Sequence, residues 1–355
     1  LKQALFLFSL TLFCFYDLSA QQDLASSRLK TIGSGINVSW LEQTWNSGGL
    51  YHKKLNQEDF NLLASAGIRT IRLPVAFERF YLSGNDEEKN AIISNIDNVL
   101  KLCQRFAFKL ILVNHSGRLQ NQSLNEDEER LKMLWAMLEK KYRHVSSSLL
   151  YFELFNEPTL EDAKWLPIAA SVTKLIHQSS PKRTLIIGAS NYNSIYELSR
   201  ISPLLDKNII YTFHFYEPFI FTHQGATWIG KQVTTTGIPF PYAADKMPKL
   251  NTEAKGTAGE KNYLNYANEG KKGAVHDKLM IIKNWSKKNG VPILCSEYGV
   301  YRKHASFISV CNYLSIVKNE LQSLAIPGII WDYDDNFSIL AGEPKNKKLL
   351  PCLFL

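Results

Sequence analysis

Two glutamates, far apart in the chain, sit in settings that suit paired acid and nucleophile chemistry. Glu157 lies in Leu154-Phe155-Asn156-Glu157-Pro158, and Glu297 follows Leu294-Cys295-Ser296 just ahead of Tyr298-Gly299. Cleaving a glycosidic bond takes two carboxyl groups. One must be protonated to donate to the departing oxygen, and the other ionised to attack the sugar or to activate water. Glu157, beside Asn156 and after an apolar run, reads as the acid/base, and Glu297 as the nucleophile. Either glutamate taken singly could instead cap a helix or pair with a surface lysine.

Other chemistry-bearing residues fall in the same kind of place, at the ends of apolar runs. Arg72 stands in Ile71-Arg72-Leu73-Pro74 and His115 in Val113-Asn114-His115, while His214 and Tyr216 share Phe213-His214-Phe215-Tyr216, and Trp331 follows Ile330. Each has a plainer reading. Arg72 could be an ordinary ion-pair partner. His115 and His214 could be core histidines or metal ligands. However, the chain has no H-x-H or H-E-x-x-H, so neither a metal nor any other cofactor is expected. Trp331 could pack in the core or present a flat face to a sugar ring. A serine hydrolase is disfavoured, because no G-x-S-x-G elbow occurs.

For such scattered residues to meet, the fold must gather strand ends. Eight strand-like runs can be read: Gly33–Val38, Thr70–Val75, Leu110–Asn114, Leu149–Phe155, Thr184–Gly188, Ile209–Tyr216, Pro292–Ser296 and Gly328–Trp331. Their near-continuous apolar character suits parallel strands covered on both faces. Amphipathic stretches lie between them. One starts at Asn125, read as an N-cap with Glu128 three positions on, and shows Leu131, Leu134, Trp135 and Leu138 on one helical face. Another, Glu58–Ala66, stops at Gly67. The alternation predicts an α/β chain folded as a single (β/α)8 TIM barrel, whose strand C-termini converge on one site. An open doubly wound sheet is the rival, but no G-x-G-x-x-G follows the first run. The polar stretch 217–275 reads as a long insertion after the sixth strand.

Taken in order, these motifs resemble glycoside hydrolase family 5, the cellulase-like retaining β-glycosidases. The carriers are Arg72-Leu73-Pro74, Asn114-His115, Asn156-Glu157-Pro158, His214-Phe215-Tyr216, Glu297-Tyr298-Gly299 and Trp331-Asp332-Tyr333, with Gly35-Ile36-Asn37 as the first-strand opening. The resemblance implies roles position by position. Glu157 would be the acid/base and Glu297 the nucleophile, with Asn156 binding the sugar 2-hydroxyl. Arg72 and Tyr216 would hold the nucleophile, His115 and His214 would line the subsite, and Trp331 would lie beneath the sugar. It implies internal cleavage of a β-1,4-glucan by double displacement, with mannan as the alternative, or a silent glycan-binding barrel. The Val38-Ser39-Trp40-Leu41-Glu42-Gln43-Thr44-Trp45 stretch and His115-Ser116-Gly117 depart from the family pattern, and bear on which glycan is held. Trp40, Trp45, Phe219 and Trp228 are either cleft aromatics or packing.

Composition sets the remaining bounds. The chain has 355 residues, 45% hydrophobic and 21% charged, with formal charge +8. These are globular values, and one barrel domain needs about 250 residues. Lysines and arginines are scattered, without a basic stripe interleaved with aromatics, so no nucleic-acid partner is expected. Lys2, the apolar run Leu5–Phe15 and Ser19-Ala20 follow the order of a secretory leader over residues 1–20, with the catalytic domain at 21–355. The run is too short for a comfortable membrane span. The expected product is a secreted monomer acting on a β-glucan. Cys103, Cys295, Cys311 and Cys352 lie beyond the leader, without a C-x-x-C pair. Pairing among them stays open, though Cys103 and Cys295 have the apolar neighbours of buried thiols.

Overall fold

The computed structural model describes residues 24–45, 52–341 and 348–354. The expected leader lies outside them. Eight parallel strands close a barrel in chain order. They are β1 (Gly35–Asn37), β2 (Thr70–Val75), β3 (Lys109–Asn114), β4 (Leu150–Glu153), β5 (Leu185–Gly188), β6 (Ile209–His214), β7 (Ile293–Tyr298) and β8 (Gly328–Ile330). β8 pairs back onto β1 through Gly35 and Ile36. Almost every strand residue is buried, because helices cover the outside and side chains from neighbouring strands fill the inside. The fold is the expected (β/α)8 barrel.

Local chemistry explains the helices around it. Asn56 and Asp59 form a reciprocal capping box at the start of Gln57–Ser65, and Asn85 with Glu88 does the same for Asp86–Phe106. Gly67, at φ +74°, turns the chain from the first of these helices toward β2. Asn125 is not a cap. The helix runs Leu124–Tyr142, so Asn125 falls within its first turn and Ser123 holds the N-cap position. Asp127 does the anchoring, accepting from Gln120 N, Ser123 Oγ and Arg118 Nε. After β5 a single turn, Ile195–Leu198, stands where a full helix would be expected.

The barrel is shut at one end and open at the other. A helical stretch over 24–32 places Ala25, Leu29 and Ile32 against inward residues Ile111, Tyr151, Ile186, Ile210 and Leu294. Thr70 Oγ1 also donates to the Ile32 carbonyl at 2.5 Å. That plug closes the N-terminal end and leaves the strand C-termini as the accessible face. Above them, the segment following β6 folds back on itself around buried Gln224. Its amide donates to Phe221 O and Ile238 O and accepts from Ile238 N. Helix Ala258–Glu269 belongs to this segment, whereas Lys272–Asn289 is the helix leading to β7. The insertion therefore ends slightly before residue 275. A disulfide joins Cys311 to Cys352, tying the last described turn to helix Phe307–Ser323. Cys103 and Cys295 are buried free thiols. No helix among the described residues is long and apolar enough to cross a membrane.

Candidate active site

Arg72 is the hub of the open end. It sits inside β2, wholly buried, and uses all five of its N–H donors. Nε and Nη2 grip Glu153 at 2.8 and 2.6 Å, and Nη2 also reaches Asn156 Oδ1 at 2.7 Å. Nη1 donates to Asn37 Oδ1 at 2.8 Å and to Glu297 Oε1 at 2.6 Å. Strand register makes this possible, since Asn37 on β1 is level with Arg72 on β2. Asn37 Nδ2 is taken up by Ser296 O and Ile330 O, which turns its oxygen toward the guanidinium. Burial opposes the charge on Arg72, but Glu153 and Glu297 more than restore it, so it stays a cation.

Glu153 is a functional-site residue to which the sequence reading assigns no role. The signal was present: one acid inside Leu149-Leu150-Tyr151-Phe152-Glu153-Leu154-Phe155. A carboxylate in a strand buried on both faces needs a buried cation.

Glu297 lies within β7 rather than beyond it. The β6–β7 register shifts between Phe213 and His214, bringing Glu297 level with His214. Such an irregularity re-aims a side chain. Besides Arg72, Glu297 accepts from Tyr216 OH at 2.9 Å, and His214 Nδ1 lies 3.4 Å from Oε2. Glu157, four positions beyond β4, has a different neighbourhood. Its Oε1 meets His214 Nδ1 at 2.7 Å, and 32% of its side chain is exposed to the cleft. One oxygen from each glutamate and one nitrogen of His214 lie within 4.8 Å of one another.

The electrostatics separate the two carboxyls. Burial pushes Glu157 up to about 7, Glu153 adds to this, and Arg72 opposes it. Burial and the neighbouring Glu157 also push Glu297 upward, against His214, Arg72 and the Tyr216 hydroxyl. The two titrate as a pair. Only Glu297 has a guanidinium and a phenol donating to it, so the shared proton resides on Glu157. Burial lowers His214 to about 4 despite Glu297, leaving a neutral ring.

His115 and Trp331 stack, with ring centroids 5.6 Å apart and planes 18° from parallel. Glu42 Oε2 lies 3.5 Å from His115 Nε2, and burial with several nearby acids pushes Glu42 up to about 9. Glu42 and His115 border a cavity of about 300 Å³ that also touches Trp45, Phe155 and Glu157. Asp332, joined to Trp331 by a cis peptide, accepts from Ser39 Oγ at 2.5 Å and so fixes the strand end carrying the indole. Of the four aromatics left between cleft and packing, Trp40 is core, and Phe219 stacks on His223 at 4.1 Å. Trp45 and Trp228 are 68% and 56% exposed. All eight expected residues, Arg72, His115, Asn156, Glu157, His214, Tyr216, Glu297 and Trp331, thus lie at one barrel mouth. Glu157, His214 and Glu297 are close enough to share a cation, but both oxygens of Glu297 already accept from Arg72 and Tyr216. An added cation would face the guanidinium at close range.

The family model for cellulase, glycosyl hydrolase family 5, matches residues 30–337, the whole barrel. The chain belongs to that family. Glycosyl hydrolase family 5 accounts for the relatives as well. Endoglucanase 3 of Fibrobacter succinogenes is 28% identical over 360 residues, covering 94% of this chain and 54% of that protein. The chain therefore spans about half the length of that relative. Endoglucanase C of Acetivibrio thermocellus is also 28% identical, over 322 residues, covering 84% of this chain and 90% of the relative. Among solved structures, endoglucanase Cel5A from the hyperthermophilic Thermotoga maritima aligns with a TM-score of 0.74 at 25% identity. That alignment covers 93% of this chain and 98% of the other. The family is one of O-glycosyl hydrolases.

Proposed function

We propose that this family 5 glycosyl hydrolase cleaves internal β-1,4 linkages of a glucan with retention of configuration, Glu297 acting as nucleophile and Glu157 as acid/base. The observation that carries the reading is the closeness of the two carboxyls, with oxygens within 4.8 Å. Retaining glycosidases hold their carboxyl groups about 5–5.5 Å apart, whereas inverting ones leave about 6.5–9.5 Å for a water. In the first step a Glu297 oxygen bonds the anomeric carbon as the glycosidic C–O bond breaks, and Glu157 passes its proton to the departing oxygen. In the second, Glu157 takes a proton from water. The water oxygen then bonds the anomeric carbon, and the ester to Glu297 breaks.

The remaining residues fit supporting tasks. Arg72 and Tyr216 keep Glu297 ionised and aimed. Asn156, held by Arg72, is placed to meet the sugar 2-hydroxyl. His214 touches the carboxyl that carries the proton, and His115 and Trp331 offer one flat wall. Exposed Trp45 and Trp228 extend the aromatic surface beyond a single sugar, as a polymer requires. Mannan is the second reading, because Cel5A of Thermotoga maritima has been solved with mannotriose as well as with cellobiose. We also propose that the chain is exported and acts as a monomer. The Cys311–Cys352 disulfide suits an oxidising compartment, and one chain supplies every residue of the site.

Reducing-sugar release on soluble glucan, mannan and xylan, with chromatography of the products, tests the substrate. Rapid release of mixed oligosaccharides from glucan supports the reading. Release from mannan alone transfers it to the second. Inactivity on every polymer, with a folded protein, would leave a binding barrel.

A further inference from the structure

The turn after β5 holds an arrangement that none of the roles above uses. Asn191, Tyr192 and Asn193 all have positive φ, at 52°, 60° and 60°. Left-handed backbone is unfavourable for residues with a Cβ, though asparagine tolerates it better than most. This run turns the Asn193 side chain into the barrel, where it is completely buried. Its Nδ2 donates to the Asn156 carbonyl at 2.8 Å and stands 3.4 Å from His214 Nε2. Its Oδ1 is buried without a hydrogen-bond partner. Space for it exists because residue 188 is glycine: a Cβ there would sit 1.5 Å from Asn193 Oδ1.

We propose that Asn193 is a positioning residue that fixes the tautomer of His214, and through it the proton on Glu157. This rests on the reading of Glu157 as acid/base. The Asn156 carbonyl can only accept, so the amide edge facing it must be nitrogen, and the flipped amide is excluded. The second hydrogen on Nδ2 then points at His214 Nε2, which must be the bare nitrogen of the neutral ring. The proton is left on Nδ1, which donates to Glu157 Oε1 at 2.7 Å. Glu157 accepts on Oε1, and its own proton is confined to the other oxygen, available to the leaving group. Asn193 also ties the strand end bearing Asn156 and Glu157 to β6, so carboxyl and imidazole are held by one amide. The open acceptor and the left-handed turn are structural costs that a purely packing residue at this position would not require.

Asn193→Asp and Asn193→Ala test this, with kcat/KM measured against pH on soluble β-glucan and on an aryl cellobioside whose leaving group needs no proton. In the Asp variant, a carboxylate accepts from Nε2–H and makes the ring an imidazolium, which lowers the pKa of Glu157. The alkaline limb should then move down by about one pH unit or more. In the Ala variant, glucan activity should fall about tenfold while the activated glycoside is much less affected. Glu157→Ala is the control for the underlying reading. If it also spares the activated substrate, that reading stands, and an unmoved alkaline limb in Asn193→Asp together with undiminished glucan activity in Asn193→Ala would overturn the tautomer proposal alone. If Glu157→Ala loses both substrates equally, the acid/base reading fails first. Should the variants not fold, nitrogen-15 shifts of His214 in the unsubstituted protein decide. A protonated Nδ1 with bare Nε2 supports the proposal, and the reverse tautomer refutes it.

Discussion

Arg72 Nη1 donates to Glu297 Oε1 at 2.6 Å, while the other edge of the same guanidinium clasps Glu153. One buried cation thus serves two buried acids, and only one of those acids faces the cleft. Lysine cannot replace that fork, because a single ammonium cannot satisfy four separate acceptor groups: Asn37 on β1, Glu153 at the end of β4, Asn156 just beyond it and Glu297 on β7. We expect Arg72→Lys to lower kcat/KM by at least a hundredfold. Leaving Glu153 poorly paired should also cost roughly 3–5 kcal/mol of stability. Urea unfolding beside steady-state kinetics checks both. Near-native values for each would remove Arg72 from the centre of the account.

The pH profile follows from the placement of the proton. As the proposed general acid, Glu157 must be protonated to act, and burial raises its pKa to about 7. Activity should therefore fall as pH climbs through about 7, and the acid limb should report loss of the charge on Glu297. A kcat/KM that kept rising well above neutrality would show that another group donates the proton.

Glu42 makes a separate prediction about stability. Its folded pKa, about 9, lies above the ordinary value of 4.5. The folded state therefore holds a proton that the unfolded state releases. Its contribution is complete below about 4.5 and drains away as pH rises toward 9. Glu42→Gln should match the parent near pH 4 and melt at a higher temperature near pH 9. Parallel melting curves across that range would mean that Glu42 ionises in the fold without cost.

The disulfide between Cys311 and Cys352 closes a separation of 41 residues. A loop of that length is worth up to ~4 kcal/mol through restriction of the unfolded chain. Cys352→Ser should therefore lower the unfolding midpoint without changing the KM for glucan, because the bridge lies on the outer helix Phe307–Ser323. A large change in KM would place that helix in the site.

How far the sequence carried the structure varies by residue. All eight strands were legible, because burial on both faces makes each an apolar run, and polar residues ending those runs marked the site. Strand limits shifted where the chain carries polar side chains inward. β7 continues through Glu297 to Tyr298, and β4 stops at Glu153. The Asn125 cap failed because Asp127 supplies the anchoring from inside the helix, a tertiary choice that a local capping pattern does not record. Asn193 could not be recognised from its neighbours, since its task depends on a glycine at 188 and a histidine at 214. Glu153 was visible as an acid in an apolar strand, but its meaning needed the partner on β2.

The most direct test of the account is to trap the covalent intermediate. The protein is incubated with a 2-deoxy-2-fluoro cellobioside bearing an activated leaving group, then its mass is measured and its peptides mapped. The account predicts one added fluoro-cellobiosyl group, esterified to Glu297 and absent from Glu297→Gln. An adduct on another residue, or turnover that releases sugar of inverted configuration, would contradict it.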